Sequence, residues 1–205
     1  MITIVDYGAG NITSVRRALD HLGVASRISA GAGEIEGAER IIFPGVGHAA
    51  AAMENLRGSG IADALRAAYA KGTPILGICL GSQIILSHSQ EGDTPCLGLI
   101  PGKVLRLEPG GGLKVPHMGW NGVDPASPHP LLQGIRPGAM FYFVHSYYTQ
   151  PDDPADAIAT CEYGARFCVM LGRGNLAAAQ FHPEKSGPVG LRLLENFANW
   201  EVRAC

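Results

Sequence analysis

Short apolar runs alternate with stretches of helical periodicity through the first half of the chain. Residues 1–5, 24–29, 40–43 and 74–78 are brief, β-branched-rich runs, the pattern of strands buried on both faces. Between the first two, Val15, Ala18, Leu19 and Leu22 recur at helical spacing, which predicts a helix from a cap at Asn11 or Thr13 to about Gly23. Residues 48–57 and 61–71 read as further helices, the second followed by Gly72 as a stop. After the 74–78 run, Leu80, Ile84, Ile85 and His88 again fall at helical spacing. Strand and helix in alternation predict an α/β architecture, a mostly parallel central sheet flanked by helices.

The second half reads differently. Strand-like segments at 103–107, 113–116, 140–146, 156–163, 166–172 and 175–181 follow one another with turns between. Gly172-Arg173-Gly174-Asn175 has the composition of a hairpin connection, so this half should contain an antiparallel portion. A last helix over about 188–202 places Val189, Leu193, Leu194 and Phe197 on one side. No linker-like stretch divides the halves, and 205 residues suffice for one core, so residues 1–205 are expected to form one domain.

Composition mainly excludes. A net charge of -2 spread without blocks gives no reason to expect nucleic acid or an anionic membrane as partner. No apolar run approaches the ~20 residues that cross a bilayer. The start of the chain enters a strand directly, with no basic leader or cleavage site. Five cysteines at 79, 96, 161, 168 and 205, odd in number and irregular in spacing, argue against disulfides or a zinc site and for a reducing cytoplasm.

Two stretches carry candidate chemistry. In Gly77-Ile78-Cys79-Leu80-Gly81, glycines bracket a cysteine at a strand-to-helix junction, the thiol counterpart of the G-x-S-x-G nucleophile elbow. A helix N-terminus there would favour a thiolate; a buried structural cysteine between packing glycines is the alternative. In Gln180-Phe181-His182-Pro183-Glu184-Lys185-Ser186, proline biases His182 to extended geometry, which would put His182 and Glu184 on one side. A carboxylate beside an imidazole fixes its tautomer and supports its charged form, so with the cysteine the pair suggests a Cys-His-Glu triad. Alone, H-x-E is a common structural pair. Pro44-Gly45-Val46-Gly47 follows a strand of the same half-sheet and could supply an oxyanion donor at Val46, beside the Leu80 amide; otherwise it is a Pro-Gly turn.

Taken in order, PGVGH, GICLGSQ and FHPEKS resemble the class I (triad-type) glutamine amidotransferases, and the motifs span residues 6 to 186. Within that family, DYGAGN, VPHMGWN and YFVHSYY are similar to the glutaminase subunits of histidine biosynthesis. The resemblance implies the family's flavodoxin-like fold, no cofactor and no metal, with Cys79 as nucleophile, His182 as proton carrier and Glu184 as its orienting carboxylate. It implies glutamine-binding roles for Gly47, Gln83, Glu91, Ser146 and Tyr147. The implied partner is a (β/α)8-barrel cyclase subunit in a heterodimer, contacted around Asp6 to Asn11, Trp120, Tyr142 and Lys185. Ser82 departs from the methionine common before Gln83, and Ser87 to Gln90 depart from an acidic run; tuning of the site rather than loss of chemistry is expected.

Rival readings are a paralogue supplying ammonia to a sugar amidotransferase, a Cys-elbow hydrolase or peptidase, and a non-catalytic regulatory subunit. Gln83 and the P-G-V-G stretch argue against the peptidase, and the presence of both thiol and H-x-E against the regulatory subunit. His48, His88 and His129 have no carboxylate in register and read as caps or surface groups. His117 and His145 read as wall residues without an acid-base partner. Trp120, Tyr142 and Phe143 fit either core or interface, and Met118 reads as packing.

Overall fold

A computed structural model describes residues 1–202 apart from 9, 109 and 111. Ala9 of the DYGAGN stretch and Cys205 therefore lie outside the described residues. The elements run β1 (Ile2–Val5), α1 (Ile12–His21), β2 (Ser26–Ser29), α2 (Ala32–Glu36), β3 (Ile41–Gly45), α3 (Ala49–Gly58), α4 (Ile61–Ala70), β4 (Ile75–Cys79) and α5 (Leu80–Ile84). They continue with β5 (His88–Ser89), β6 (Thr94–Pro95), β7 (Gly102–Arg106), β8 (His117–Pro125), β9 (Ala139–His145), β10 (Tyr147–Pro151), β11 (Ala157–Tyr163), β12 (Ala165–Arg173), β13 (Leu176–Ala179) and α6 (Gly187–Ala198).

The sheet order is β2-β1-β3-β4-β13-β12-β10-β7-β5-β6. Pairing is parallel from β2 through β1, β3 and β4 to β13, then turns antiparallel at β12 through the Gly174-Asn175 hairpin, where Arg173 faces Leu176. The expected parallel half with an antiparallel second half is the observed architecture. Strand β4 sits inside the parallel part with β3 and β13 as neighbours, and all five of its residues are buried. Burial on both faces is why Ile75 to Ile78 read as a continuous apolar run rather than an alternating one. One core, containing Val15, Leu19, Phe141, Phe181 and Phe197, covers one side; a second, containing Phe43, Met53, Leu56, Leu65 and Ile84, covers the other. No described helix is long and apolar enough to cross a membrane.

Several sequence expectations need correction. The helix after the elbow ends at Ile84 rather than reaching His88, because the carbonyls of Ile84, Ile85 and Leu86 accept amides of residues 97–100. Strand β3 runs through Pro44 and Gly45 instead of stopping before them: Pro44 faces Ile78 and Gly45 faces Cys79. Residues 113–116 form no strand; their alternating Leu113 and Val115 are exposed and pair with nothing in the sheet. The nine-residue strand β8 and strand β10 were not predicted, nor was α2. Strand β8 contains Gly119, Asn121, Gly122 and Asp124, a loop-like composition overridden by pairing to β9 along His117–Val123 and to β11 at Asp124 and Pro125.

Candidate active site

The β4–α5 junction places the thiol. Cys79 has φ 55° and ψ -111°, a conformation that L-residues with a side chain rarely adopt. The flanking glycines are there because backbones meet: a Cβ on Gly81 would collide with the Phe43 carbonyl, and one on Gly77 would lie 3.0 Å from the Gly81 carbonyl oxygen. Gly45, opposite Cys79, has the Tyr7 hydroxyl where a side chain would go. Replacing Gly81 with alanine is expected to force α5 from β3 at a cost of about 1–3 kcal/mol. Thermal unfolding should show a Tm lowered by several degrees, and an unchanged Tm would contradict the close packing of the elbow.

His182 comes to the same place from the end of β13. Its backbone is extended (φ -100°, ψ 93°), as proline after it demands, but Pro183 to Lys185 then form a 3-10 turn rather than an extended segment. The turn, not strand alternation, brings the pair together: His182 Nδ1 lies 2.8 Å from Glu184 Oε1, with both side chains almost fully buried. Asn11 Nδ2 donates to the same carboxylate oxygen at 3.2 Å; Asn11 stands at the N-cap position of α1 as expected, but its side chain makes no capping bond. Ser186 Oγ donates to the His182 carbonyl at 2.6 Å and accepts the Tyr142 amide at 3.0 Å, and the His182 amide donates to the Tyr142 carbonyl at 2.9 Å.

Burial alone would push the His182 imidazole down, but Cys79 and Glu184, through hydrogen bonding and charge, lift it to about 10. Nε2 is buried without a partner of good hydrogen-bond geometry, and the thiol is the group close enough to act on it. A loose contact of this kind is usual before substrate arrives. Both neighbours thus favour the imidazolium over the neutral ring.

Cys79 and His182 open into a cavity of about 330 Å³ lined also by Val46, Gly47, Leu80, Gln83, Glu91, Pro116, Val144, His145, Ser146 and Tyr147. Every residue assigned above to oxyanion or glutamine contact thus borders one space, although they come from distant parts of the chain. Gly47 has φ 98°, which only glycine takes readily. Glu91, directly after the 87–90 departure, accepts the Ala49 amide at 2.7 Å and is thereby tied to the start of α3. Ser82 is fully buried and donates to the Cys79 carbonyl at 2.6 Å, so it braces the elbow from behind. A larger concavity of about 600 Å³ at 125–133 shares no residue with this cavity, and the ring nitrogen of its His129 already caps a 3-10 turn.

Sequence reasoning missed Gln180, which is fully buried, accepts from Gln83 Nε2 at 2.9 Å and directs its own amide to Cys79 Sγ at 3.9 Å. Its partners Gln83 and Cys79 lie 97 and 101 positions away in sequence, so only its adjacency to the His182 motif pointed to it. His117 and His145, read as lacking partners, are bonded to each other at 2.9 Å; burial lowers them to about 4 and about 3. His88 also has a carboxylate after all, Asp93 at 2.9 Å on the surface, whereas His48 caps α3 as expected.

The hairpin β8–β9 has two unlike faces. His117, Val123, Phe141, Phe143 and His145 point into the core, whereas Met118, Trp120 and Met140 are 63%, 54% and 49% exposed. Met118 is therefore a surface residue, not packing. Trp120 meets Tyr142 edge-on at 6.1 Å, and the Lys185 ammonium lies 5.9 Å above the Tyr142 ring. Three large apolar side chains exposed on one face of a hairpin suit an interaction surface.

The family model described as glutamine amidotransferase class-I matches residues 3–200. The chain is 53% identical to the imidazole glycerol phosphate synthase subunit HisH of Nitratidesulfovibrio vulgaris (strain Hildenborough) over 100% of its length and 98% of the relative's. It is 49% identical to the subunit of the same name from Moorella thermoacetica, over 96% and 93% of the two chains. A crystal structure described as a glutamine amidotransferase superposes with a TM-score of 0.76 at 20% identity, covering 97% of this chain and 98% of that one, which supports the fold. The chain belongs to the class I glutamine amidotransferases and, within them, to the family of HisH subunits.

Proposed function

We propose that this chain hydrolyses glutamine through Cys79, His182 and Glu184 and passes the ammonia to the cyclase subunit of imidazole glycerol phosphate synthase, with which it forms a heterodimer. The observation that carries the reading is the convergence of the strained Cys79, the buried His182–Glu184 pair and Gln83, Glu91, Ser146 and Tyr147 on one cavity. A carboxamide is a poor electrophile with a poor leaving group, which is what this set of groups addresses. With its proton passed to His182, the sulfur of Cys79 attacks the side-chain carbonyl carbon, and the resulting oxyanion is met by amides at Leu80 and at the Val46 segment. The C–N bond breaks as imidazolium gives its proton to the departing nitrogen, leaving a γ-glutamyl thioester. Neutral His182 then takes a proton from water, whose oxygen displaces sulfur and yields glutamate. Glu184 holds Nδ1 throughout and supports the imidazolium charge.

The cyclase consumes the ammonia with a phosphoribulosyl-formimino intermediate, giving imidazole glycerol phosphate and aminoimidazole carboxamide ribotide. Trp120, Tyr142, Lys185 and Asn11 are placed at or near that contact, and the apolar face of β8–β9 supports the placement.

The glutaminase is expected to be nearly silent alone. Val46 is 41% exposed between two glycines, at the position of the second oxyanion donor. A peptide flanked by glycines turns over at modest cost, so partner binding can switch the donor in, which elsewhere accounts for ~10²–10³ in rate. Glutamine hydrolysis should rise by at least that factor from the isolated chain to its complex with cyclase and the cyclase's nucleotide ligand. Equal rates in all three states would remove the switch, and absence of hydrolysis in the full complex would remove the function.

A further inference from the structure

A continuous hydrogen-bonded chain runs from strand β8 to the nucleophile, and one backbone carbonyl fixes its polarity. The Tyr147 carbonyl is approached by His145 Nδ1 at 2.8 Å and by Gln83 Nε2 at 3.2 Å. A carbonyl only accepts, so both nitrogens donate. With its proton on Nδ1, His145 has an accepting Nε2, which takes the Nδ1–H of His117 across 2.9 Å. The Nε2 of His117 is then an acceptor, and Asn121 Nδ2 donates to it at 3.2 Å. Asn121 is itself held, donating to the Glu162 carbonyl at 2.9 Å and accepting the Gly122 amide at 2.8 Å. On the other side, Gln83 Nε2 also donates to Gln180 Oε1 at 2.9 Å, which turns the Gln180 amide toward Cys79 Sγ at 3.9 Å.

Packing does not account for this polarity. His117 lies between the rings of Phe143 (4.7 Å) and Tyr163 (4.1 Å), with Phe167 edge-on, a slot that suits phenylalanine. Buried polar groups cost stability unless every bond is made, and here each bond leads to the next. The low values of His117 and His145 agree with the neutral tautomers that the chain requires.

We propose that His117, His145 and Gln180 are positioning residues for the glutaminase, holding the 145–147 wall of the pocket and the Cys79 thiol in register with strand β8. This rests on the glutaminase reading above. Strand β8 carries Met118 and Trp120 on its outer face and His117 and Asn121 on its inner one, so the chain connects the exposed patch with the reacting sulfur.

Two substitutions at one position separate positioning from packing, measured in the complex with cyclase and its nucleotide ligand. His117→Phe keeps the ring stack and cuts the chain at both nitrogens; His117→Gln loses the stack but keeps one donor and one acceptor. The kcat/KM for glutamine should fall about tenfold in His117→Phe and stay within about threefold in His117→Gln, although the phenylalanine variant should have the higher Tm. Activity that follows stability instead, with phenylalanine close to wild type and glutamine impaired, would overturn the proposal. Should His117→Phe not fold, Gln180→Glu keeps the acceptor for Gln83 and replaces the donor to Cys79 with a carboxylate oxygen that repels the sulfur's negative charge. Its kcat should fall about tenfold or more with little change in KM, and an unchanged kcat overturns the proposal equally. A wild-type complex that does not hydrolyse glutamine would remove the glutaminase reading and this one with it; hydrolysis with the wrong order of variants removes this one alone.

Discussion

Cys79→Ala is expected to reduce glutamine-dependent synthesis to background while the cyclase continues to use free ammonia at its normal rate. The thioester cannot form without the sulfur, and no neighbouring group in the cavity is a nucleophile of comparable strength. Cys79→Ser should fail nearly as completely, because the hydroxyl is a much weaker nucleophile on a turn shaped for sulfur. A covalent glutamine analogue should label Cys79 alone among the described cysteines. Burial pushes Cys96 up to about 11, Cys161 to about 12 and Cys168 to about 11, which keeps them as inert thiols. Peptide mapping of the labelled protein gives the answer directly. Retained hydrolysis in Cys79→Ala, or label on Cys96 or Cys161, would reject the nucleophile.

Removing the imidazole with His182→Ala should cost on the order of 10³-fold or more in kcat, since thiol and imidazole act as a unit. Glu184→Gln should cost less, because an amide oxygen can still accept from Nδ1, but it should also leave a signature in the pH profile. The carboxylate helps to lift His182 to about 10, and an amide does not stabilise the imidazolium in the same way. The His182 value in Glu184→Gln must therefore be lower. The alkaline limb of kcat, where the imidazolium loses the proton it gives to the departing nitrogen, should move to lower pH. A limb that stays in place would show that Glu184 does not act through His182. Full activity in His182→Ala would reject the triad itself.

How much of this was legible beforehand depended on whether an interaction was local. The elbow could be read because its sequence signal lies within residues 74–81: an apolar strand and a cysteine between two glycines. His182 and Glu184 could be read because a short span of chain unites them, although the 3-10 turn that does so was mistaken for an extended segment. The parallel half followed from runs buried on both faces. Strand β8 was hidden, because its glycines and Asn121 describe a loop and only β9 and β11 make it a strand. The end of α5 was hidden for a similar reason, since what stops the helix is residues 97–100, more than ten positions away. Gln180, His117 and His145 acquire their partners only when β8, β10 and α5 are brought to the edge of one cavity, and no spacing along the chain announces that. Family resemblance gathered Gln83, Glu91, Ser146 and Tyr147; periodicity alone would not have.

The two unlike faces of β8–β9 also bear on which changes of chain length this protein can accept. Side chains in a strand alternate between faces, so an insertion or deletion of one residue exchanges the faces beyond it. In β9 such a slip would carry Phe141, Phe143 and His145 out to solvent and drive Met140 and Tyr142 inward, so the histidine chain and the apolar patch would be lost in one event. The segment 126–138 between the two strands is under no such parity rule, and length variation among related chains should collect there. The hairpin behaves like a reading frame, tolerant of substitutions one position at a time and intolerant of odd shifts.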